Sequence, residues 1–285
     1  MTTPEVRRPE EVSRQNGLEQ AIDHYKQSNF FLNLSESTRP VYAADLAQFR
    51  QYCRTQDILS IGQVKSEDTR NWRNQLAQNG YAPATINRKR ASLSGFLEWA
   101  RAEGIIQPDF AESLPKHEPV AKKQPRILSA EQAETLIILR AKNLRDASLI
   151  LIALTTGASI TEIINLNAED IFSTKEGNHV VSFKGGIIRF PRTLVINKKI
   201  GDIITGYKKA NGLKPGNPLF QGYVSNRDRL TERRLTRAAV DLMLKRYGRE
   251  IGVENLNSSM LRNTFIAGFK GNLRQLNETL GGQYP

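Results

Sequence analysis

Between residues 107 and 127 the chain carries Pro108, Pro115, Pro119 and Pro125, interleaved with Lys116, Lys122, Lys123 and Arg126. Proline fixes φ and has no backbone N–H, so this density excludes a regular helix, and the charge keeps the segment in solvent. The stretches on either side, in a chain of 285 residues, are each long enough to bury a core. The tract therefore reads as a linker between an N-terminal domain, 1–106, and a C-terminal domain, 128–285. Whether its cations also touch an anionic partner is left open by the sequence.

The first domain reads as helical. Residues 1–16 mix acid and base and suggest a loose arm. Leu18, Ala21, Ile22 and Tyr25 have helical spacing, as do Tyr42, Leu46, Phe49 and Tyr52 after the cap-like Ser35-Glu36-Ser37-Thr38. A third helix opens at Ser66-Glu67-Asp68, buries Trp72 and Leu76, and stops at Asn79-Gly80. A fourth runs from Pro83 through Ile86, Leu93, Phe96 and Leu97 to Arg101, with Gly104 beyond it. Four short helices with brief connections make a small all-helical domain. The fourth carries Arg88-Lys89-Arg90, which is either a solvated face or a set of phosphate contacts.

The second domain mixes helix and strand. Leu128-Ser129-Ala130-Glu131 opens a helix through Leu136 and Leu139. The apolar run Leu149–Leu154 suits a buried strand or a buried helix equally. The β-prone runs 180–183, 187–190 and 193–196 predict a small antiparallel meander, and helices are expected at 198–211 and 231–248. On the latter, Arg233, Arg234 and Arg237 would share one face, fit either for water or for phosphate. Near the end, Ser258 or Ser259 can cap a helix whose apolar stripe is Leu261, Phe265 and Phe269. Arg262 lies beside that stripe, in position to grip a phosphate or carboxylate with its planar fork.

Charge points to an anionic partner. The net charge is +12, and residues 107–285 hold 27 Lys and Arg against 17 Asp and Glu. Cys53 is the only cysteine, which excludes an intrachain disulfide and a thiolate metal cluster. His24, His117 and His179 show no ligand spacing, so no metal site is expected. No apolar run approaches the roughly 20 residues of a membrane span. Without a signal-peptide core at the N-terminus, the expected location is the cytoplasm.

Met260-Leu261-Arg262-Asn263-Thr264-Phe265 resembles the H-x-L-R-H-T-F-A signature of the tyrosine recombinases, the phage integrase family. Thr156-Gly157-Ala158-Ser159-Ile160-Thr161-Glu162-Ile163 is similar to that family's T-G-L-R-I-S-E-L segment, where the preceding run is helical. Tyr42, Asp45, Leu46 and Phe49, with residues 83–96, look like its core-binding domain. The resemblance spans about residues 18–282. It implies a mainly α fold: a four-helix, SAM-like core-binding domain, then an α+β recombinase-type domain with a small three-stranded antiparallel sheet. It also implies two domains clamping double-stranded DNA, with Thr85, Arg88 and Arg90 as contact candidates. Lys89 in the same run, the basic set Arg233, Arg234 and Arg237, and Asn263 beside Arg262 complete the candidate list.

In this family a tyrosine attacks phosphorus, two arginines hold the non-bridging oxygens, a lysine protonates the leaving oxygen, and no metal or nucleotide takes part. Lys184 and Arg262 match that lysine and the second arginine. Ser159 falls on the first arginine, Ser259 on the first histidine and Gly282 on the histidine-or-tryptophan position. Tyr284 is out of register for the nucleophile. Loss of one such arginine costs about a hundred- to a thousandfold in rate. The expectation is thus a DNA-binding protein without strand cleavage, with no cofactor, no small-molecule substrate and a monomeric free state. Self-association on DNA, or a partner recombinase, is the further association implied. The alternative is an active recombinase or integrase whose nucleophile lies on a further C-terminal segment or a partner subunit.

Overall fold

The computed structural model describes residues 17–106, 118–119, 124–140, 143–185, 189–224 and 230–282. The chain divides into two compact units, Met1–Lys122 and Lys123–Pro285. The arm at 1–16, His117, Tyr284 and most of the proline tract lie outside the described residues.

The first unit comprises α1 (Leu18–Gln27), α2 (Asn29–Leu32), α3 (Thr38–Thr55), α4 (Ser66–Gln78) and α5 (Pro83–Ala102). Each helix forms where its apolar residues repeat every three or four positions, and those residues are the ones buried. Leu18, Ala21, Ile22 and Tyr25 pack inward from α1, Leu46 and Phe49 from α3, and Trp72 and Leu76 from α4. Each buried Leu, Ile or Phe among them contributes about 1.5–3 kcal/mol. The starts are local: Asp68 Oδ2 accepts from Lys65 N at 2.7 Å, and Pro83 occupies the first turn of α5. Edge-to-face rings fix the core, with Phe49 and Trp72 centroids 5.0 Å apart and Tyr25 and Phe31 5.3 Å apart.

The second unit is wrapped around one buried helix. After α6 (Ala130–Arg140) comes α7 (Leu144–Thr156), and the run from Leu149 to Ala153 is buried throughout. A helix apolar on all sides needs neighbours on all sides, and α6, α9 (Lys198–Ala210) and α11 (Ser258–Gly268) supply them. Helix, not strand, is therefore the resolution of that run. A short α8 (Ile160–Ile164) follows, then β1 (Ile171–Ser173), β2 (His179–Phe183) and β3 (Arg192–Ile196) in one antiparallel sheet of that order. Val181 sits opposite Ile171 on one side and Leu194 on the other. The remaining elements are β4 (Gln221–Tyr223), β5 (Leu230–Arg234), α10 (Arg237–Glu250) and α12 (Leu273–Thr279). No helix among the described residues is long and apolar enough to cross a membrane.

Three expectations are corrected. The third strand is β1, not the run 187–190: Arg189 and Phe190 lie outside any strand, and Ile187 and Ile188 are outside the described residues. Only one of the three β1 residues is buried, so no alternation marks it in the sequence. The helix expected from 231 begins at Arg237, capped by Thr236 Oγ1 accepting from Ala239 N at 3.2 Å. Residues 230–234 pair instead with β4, so Arg233, Arg234 and Arg237 do not share a helical face. The α11 cap is Asn257, whose side chain accepts from Met260 N at 3.1 Å, rather than Ser258 or Ser259.

Candidate nucleic-acid interface

The site of the second unit is assembled from the ends of α7, α11 and α12 and the connection between β2 and β3. Helix α7 terminates at Gly157, whose φ of +59° is left-handed. A side chain there would collide with the Phe265 ring and come within 2.8 Å of Leu280, so glycine lets α11 and α12 close over the helix end. The free Gly157 carbonyl accepts from Arg262 Nη1 at 2.6 Å, which orients that guanidinium toward the α8 start. Gly157→Ala combines left-handed strain with overpacking, about 2–4 kcal/mol together. It is expected to lower the melting temperature of the second unit while Trp72 and Trp99, both in the first, report unchanged unfolding. An unchanged second transition by circular dichroism would contradict this packing.

Ser159 caps α8 in a reciprocal box with Glu162. Its N–H and its hydroxyl both donate to Glu162 Oε2, at 2.8 and 2.7 Å. The same carboxylate receives Arg192 Nη1 at 2.6 Å and has Arg189 Nε at 3.6 Å. Arg192 Nε also donates to Thr279 O at 2.6 Å and Arg189 Nη1 to Leu280 O, so both arginines hold the C-terminal carbonyls of α12. Gly281, at φ +74°, permits this: a Cβ there would stand 2.6 Å from Arg192 Nη1.

Charge at this site is lopsided. Arg189, Arg192 and Arg262 surround one carboxylate, Glu162. Burial, and after it Arg189, hold the Arg262 pKa below its ordinary value; Glu162 opposes the shift and Arg192 adds to it. Burial would raise the Glu162 carboxyl, but hydrogen bonds from Arg192 and Ser159 outweigh it and leave the pKa lowered. Lys184 follows β2, 65% exposed, with Nζ 3.4 Å from buried Asp170. Ser259 is exposed. Gly282 is half-buried, and a side chain there would require Asn277 to move.

The other expected residues separate into exposed cations and structural ones. On α5, Lys89 is buried with Nζ 2.8 Å from Asp45, itself buried, and Arg88 pairs with the same carboxylate. Lys89 is thus a core group rather than a surface contact. Thr85 and Arg90 are half-buried on that helix. Arg234 donates to Ile164 O and Leu166 O at 2.7 and 2.9 Å and to Asn167 Oδ1 at 2.7 Å, which clasps the α8–β1 connection. Arg233 is exposed, and Arg237 is 65% exposed, 4.0 Å from Asp241. Asn263 Nδ2 donates to Arg126 O at 3.4 Å, tying α11 to the segment that precedes α6. Glu162, Arg189 and Arg192 were not singled out by the sequence reading. Glu162 falls on the glutamate of the T-G-L-R-I-S-E-L pattern, and the signal for the other two is a pair of arginines closely following Lys184.

Residues 32–104 match the family described as "Phage integrase, N-terminal SAM-like domain", and residues 126–271 match "Phage integrase family". The chain is 27% identical over 263 residues to "Tyrosine recombinase XerC" of Roseiflexus castenholzii, covering 87% of this chain and 80% of that one. It is 28% identical over 240 residues to the Staphylococcus aureus protein of the same name, covering 82% and 76%. Among solved structures, XerH recombinase on a palindromic difH substrate superposes with a TM-score of 0.69 at 19% identity, covering 94% of this chain and 77% of that chain. A lambda integrase dimer bound to a core site gives 0.68 at 13% identity, covering 96% and 77%. These likenesses support the fold.

Proposed function

The chain belongs to the phage integrase family, and from that premise we propose that it binds double-stranded DNA on a tyrosine recombinase fold without cutting it. Its role would be regulatory, architectural or accessory in recombination. The partner is the DNA backbone, reached by a helical domain, 1–106, and a recombinase-type domain, 128–285, joined through 107–127. Self-association on DNA, or association with a partner recombinase, accompanies it. That XerH and lambda integrase were solved on DNA supports the choice of partner.

The observation that carries the reading is Ser159. It stands where the family pattern has its first arginine, and both its N–H and its hydroxyl are engaged by Glu162. A neutral capping group cannot neutralise charge on a pentacoordinate phosphorus. Ser259 and Gly282 likewise offer no ring to shuttle protons. Arg262 and Lys184 remain, and gripping a phosphate needs only their charge and fork. Arg88, Arg90, Arg233 and Arg237, with Thr85 and Asn263, are the further contact candidates; Lys89 and Arg234 are excluded by their structural duties.

A second reading, an active recombinase, draws on Arg189 and Arg192, which bring further guanidiniums to the Arg262 cluster. A nicked suicide duplex separates the two. We expect a retarded band on a native gel and no covalent adduct on a denaturing one. A denaturant-resistant protein–DNA adduct would establish the cleaving reading instead.

A further inference from the structure

Phosphate gripping by Arg262 and Lys184 leaves the other two guanidiniums of the cluster without an assigned task. Resting on the DNA-binding reading, we infer that Arg189 joins Arg262 as a direct ligand of the same backbone phosphate, with Arg192 as the residue that positions it. The anion site is then completed from the β2–β3 connection, not from position 159.

Three observations carry this. The Glu162 carboxylate is already occupied by Ser159 N–H, Ser159 hydroxyl, Arg192 and the approach of Arg189. A carboxylate offers about four lone-pair sites, so little capacity is left for Arg262. Arg262 itself makes one hydrogen bond, to Gly157 O, among the described residues. Second, the Arg192 side chain is 7% exposed, and its Nη2 is buried with no partner among the described residues. A buried charged donor left unpaired is costly, and a phosphate bound in this cluster would offset its charge. Third, Arg189 is the member of the pair that faces solvent, its side chain 31% exposed. It is anchored at both ends of its reach, by Leu280 O and Glu162, so little rotamer freedom remains to be lost on binding.

A phosphodiester suits this arrangement. It carries one negative charge on two non-bridging oxygens, and two guanidiniums can take one oxygen each. Arg192 contributes by holding Glu162 and the α12 C-terminus in place, which in turn fixes Arg189.

The test is anisotropy of a fluorescein-labelled duplex over a KCl series. Arg189→Gln is expected to weaken binding roughly ten- to a hundredfold and to reduce the log–log salt slope by about one. Arg274→Gln, which removes an exposed α12 cation 3.0 Å from Glu278, controls for net charge and is expected to change affinity by less than about twofold. Adding Ser159→Arg to Arg189→Gln returns a guanidinium beside Glu162 and is expected to recover most of the loss. Wild-type affinity and slope in Arg189→Gln would overturn the inference while duplex binding stands. If wild type binds no duplex, thermal shift with sodium tungstate decides: stabilisation of wild type but not of Arg189→Gln upholds the anion site without the DNA reading. No stabilisation of wild type overturns both. Should Arg189→Gln lose its far-UV dichroism, Arg189→Lys keeps the charge without the fork, and undiminished affinity in it overturns the inference.

Discussion

Glu162→Ala is expected to destabilise the second unit by about 3–5 kcal/mol, the cost of stranding buried charge by removing its partner. Arg192 would lose the acceptor 2.6 Å from its Nη1, in a position where only 7% of the side chain meets water. The Ser159 N–H and hydroxyl would lose their shared acceptor at the same time, a further contribution of about 1 kcal/mol, while the capping bond from the Glu162 N–H to Ser159 Oγ at 3.4 Å would remain. Glu162→Gln retains one acceptor oxygen and is expected to cost less. Acid provides an independent check. The folded carboxyl titrates below its ordinary value, so the unfolded chain binds the proton first. The contribution of Glu162 is therefore complete above the usual glutamate range, near pH 4.3, and is lost as pH falls through the lowered folded value. Urea melts of the second unit by circular dichroism should lose stability below about pH 4 in wild type, and less steeply in Glu162→Gln. Equal acid slopes in the two proteins would contradict the assignment.

Asp45→Ala is expected to act with similar force in the first unit, about 3–5 kcal/mol, because it leaves the Lys89 ammonium buried without its carboxylate. The double variant Asp45→Ala/Lys89→Met is expected to recover much of this, since an apolar pair of like volume often replaces a buried ion pair without loss. Trp72 and Trp99 lie in this unit, so fluorescence in a urea melt follows it alone. A single variant as stable as wild type would show that the ammonium escapes to solvent.

The same pair explains where the sequence misleads. Helix periodicity located every long helix of the first unit because burial there follows one face of each helix. Lys89 was grouped with Arg88 and Arg90 as a charge run, yet it falls in line with Ile86, Leu93 and Phe96 on the buried face. The spacing contained that information, and the charge masked it. In the second unit, the period of the apolar run could not settle α7; the family resemblance implied a helix there, and its packed neighbours account for it. Strand β5 was missed because its run of charged residues carries no strand alternation, and only pairing with β4, Arg234 opposite Gln221 and Leu230 opposite Tyr223, defines it. The arginine cluster was hidden for another reason: Glu162, Arg192 and Arg262 are separated by 30 and 70 residues, and only the fold gathers them. Arg262 and Lys184 stand out in the sequence because they match a family pattern, and Ser159 because it breaks that pattern.

The proposed role of the Arg262 cluster is to grip phosphate, with a serine cap at a position where the family pattern has an arginine. The direct measurement is duplex-DNA affinity across a KCl series for wild type and Arg262→Ala. A steep salt dependence, with affinity in Arg262→Ala reduced roughly tenfold or more and the slope shallower by about one, is the result this account predicts. Salt-independent or absent binding in wild type, or an Arg262→Ala protein indistinguishable from it, would contradict it.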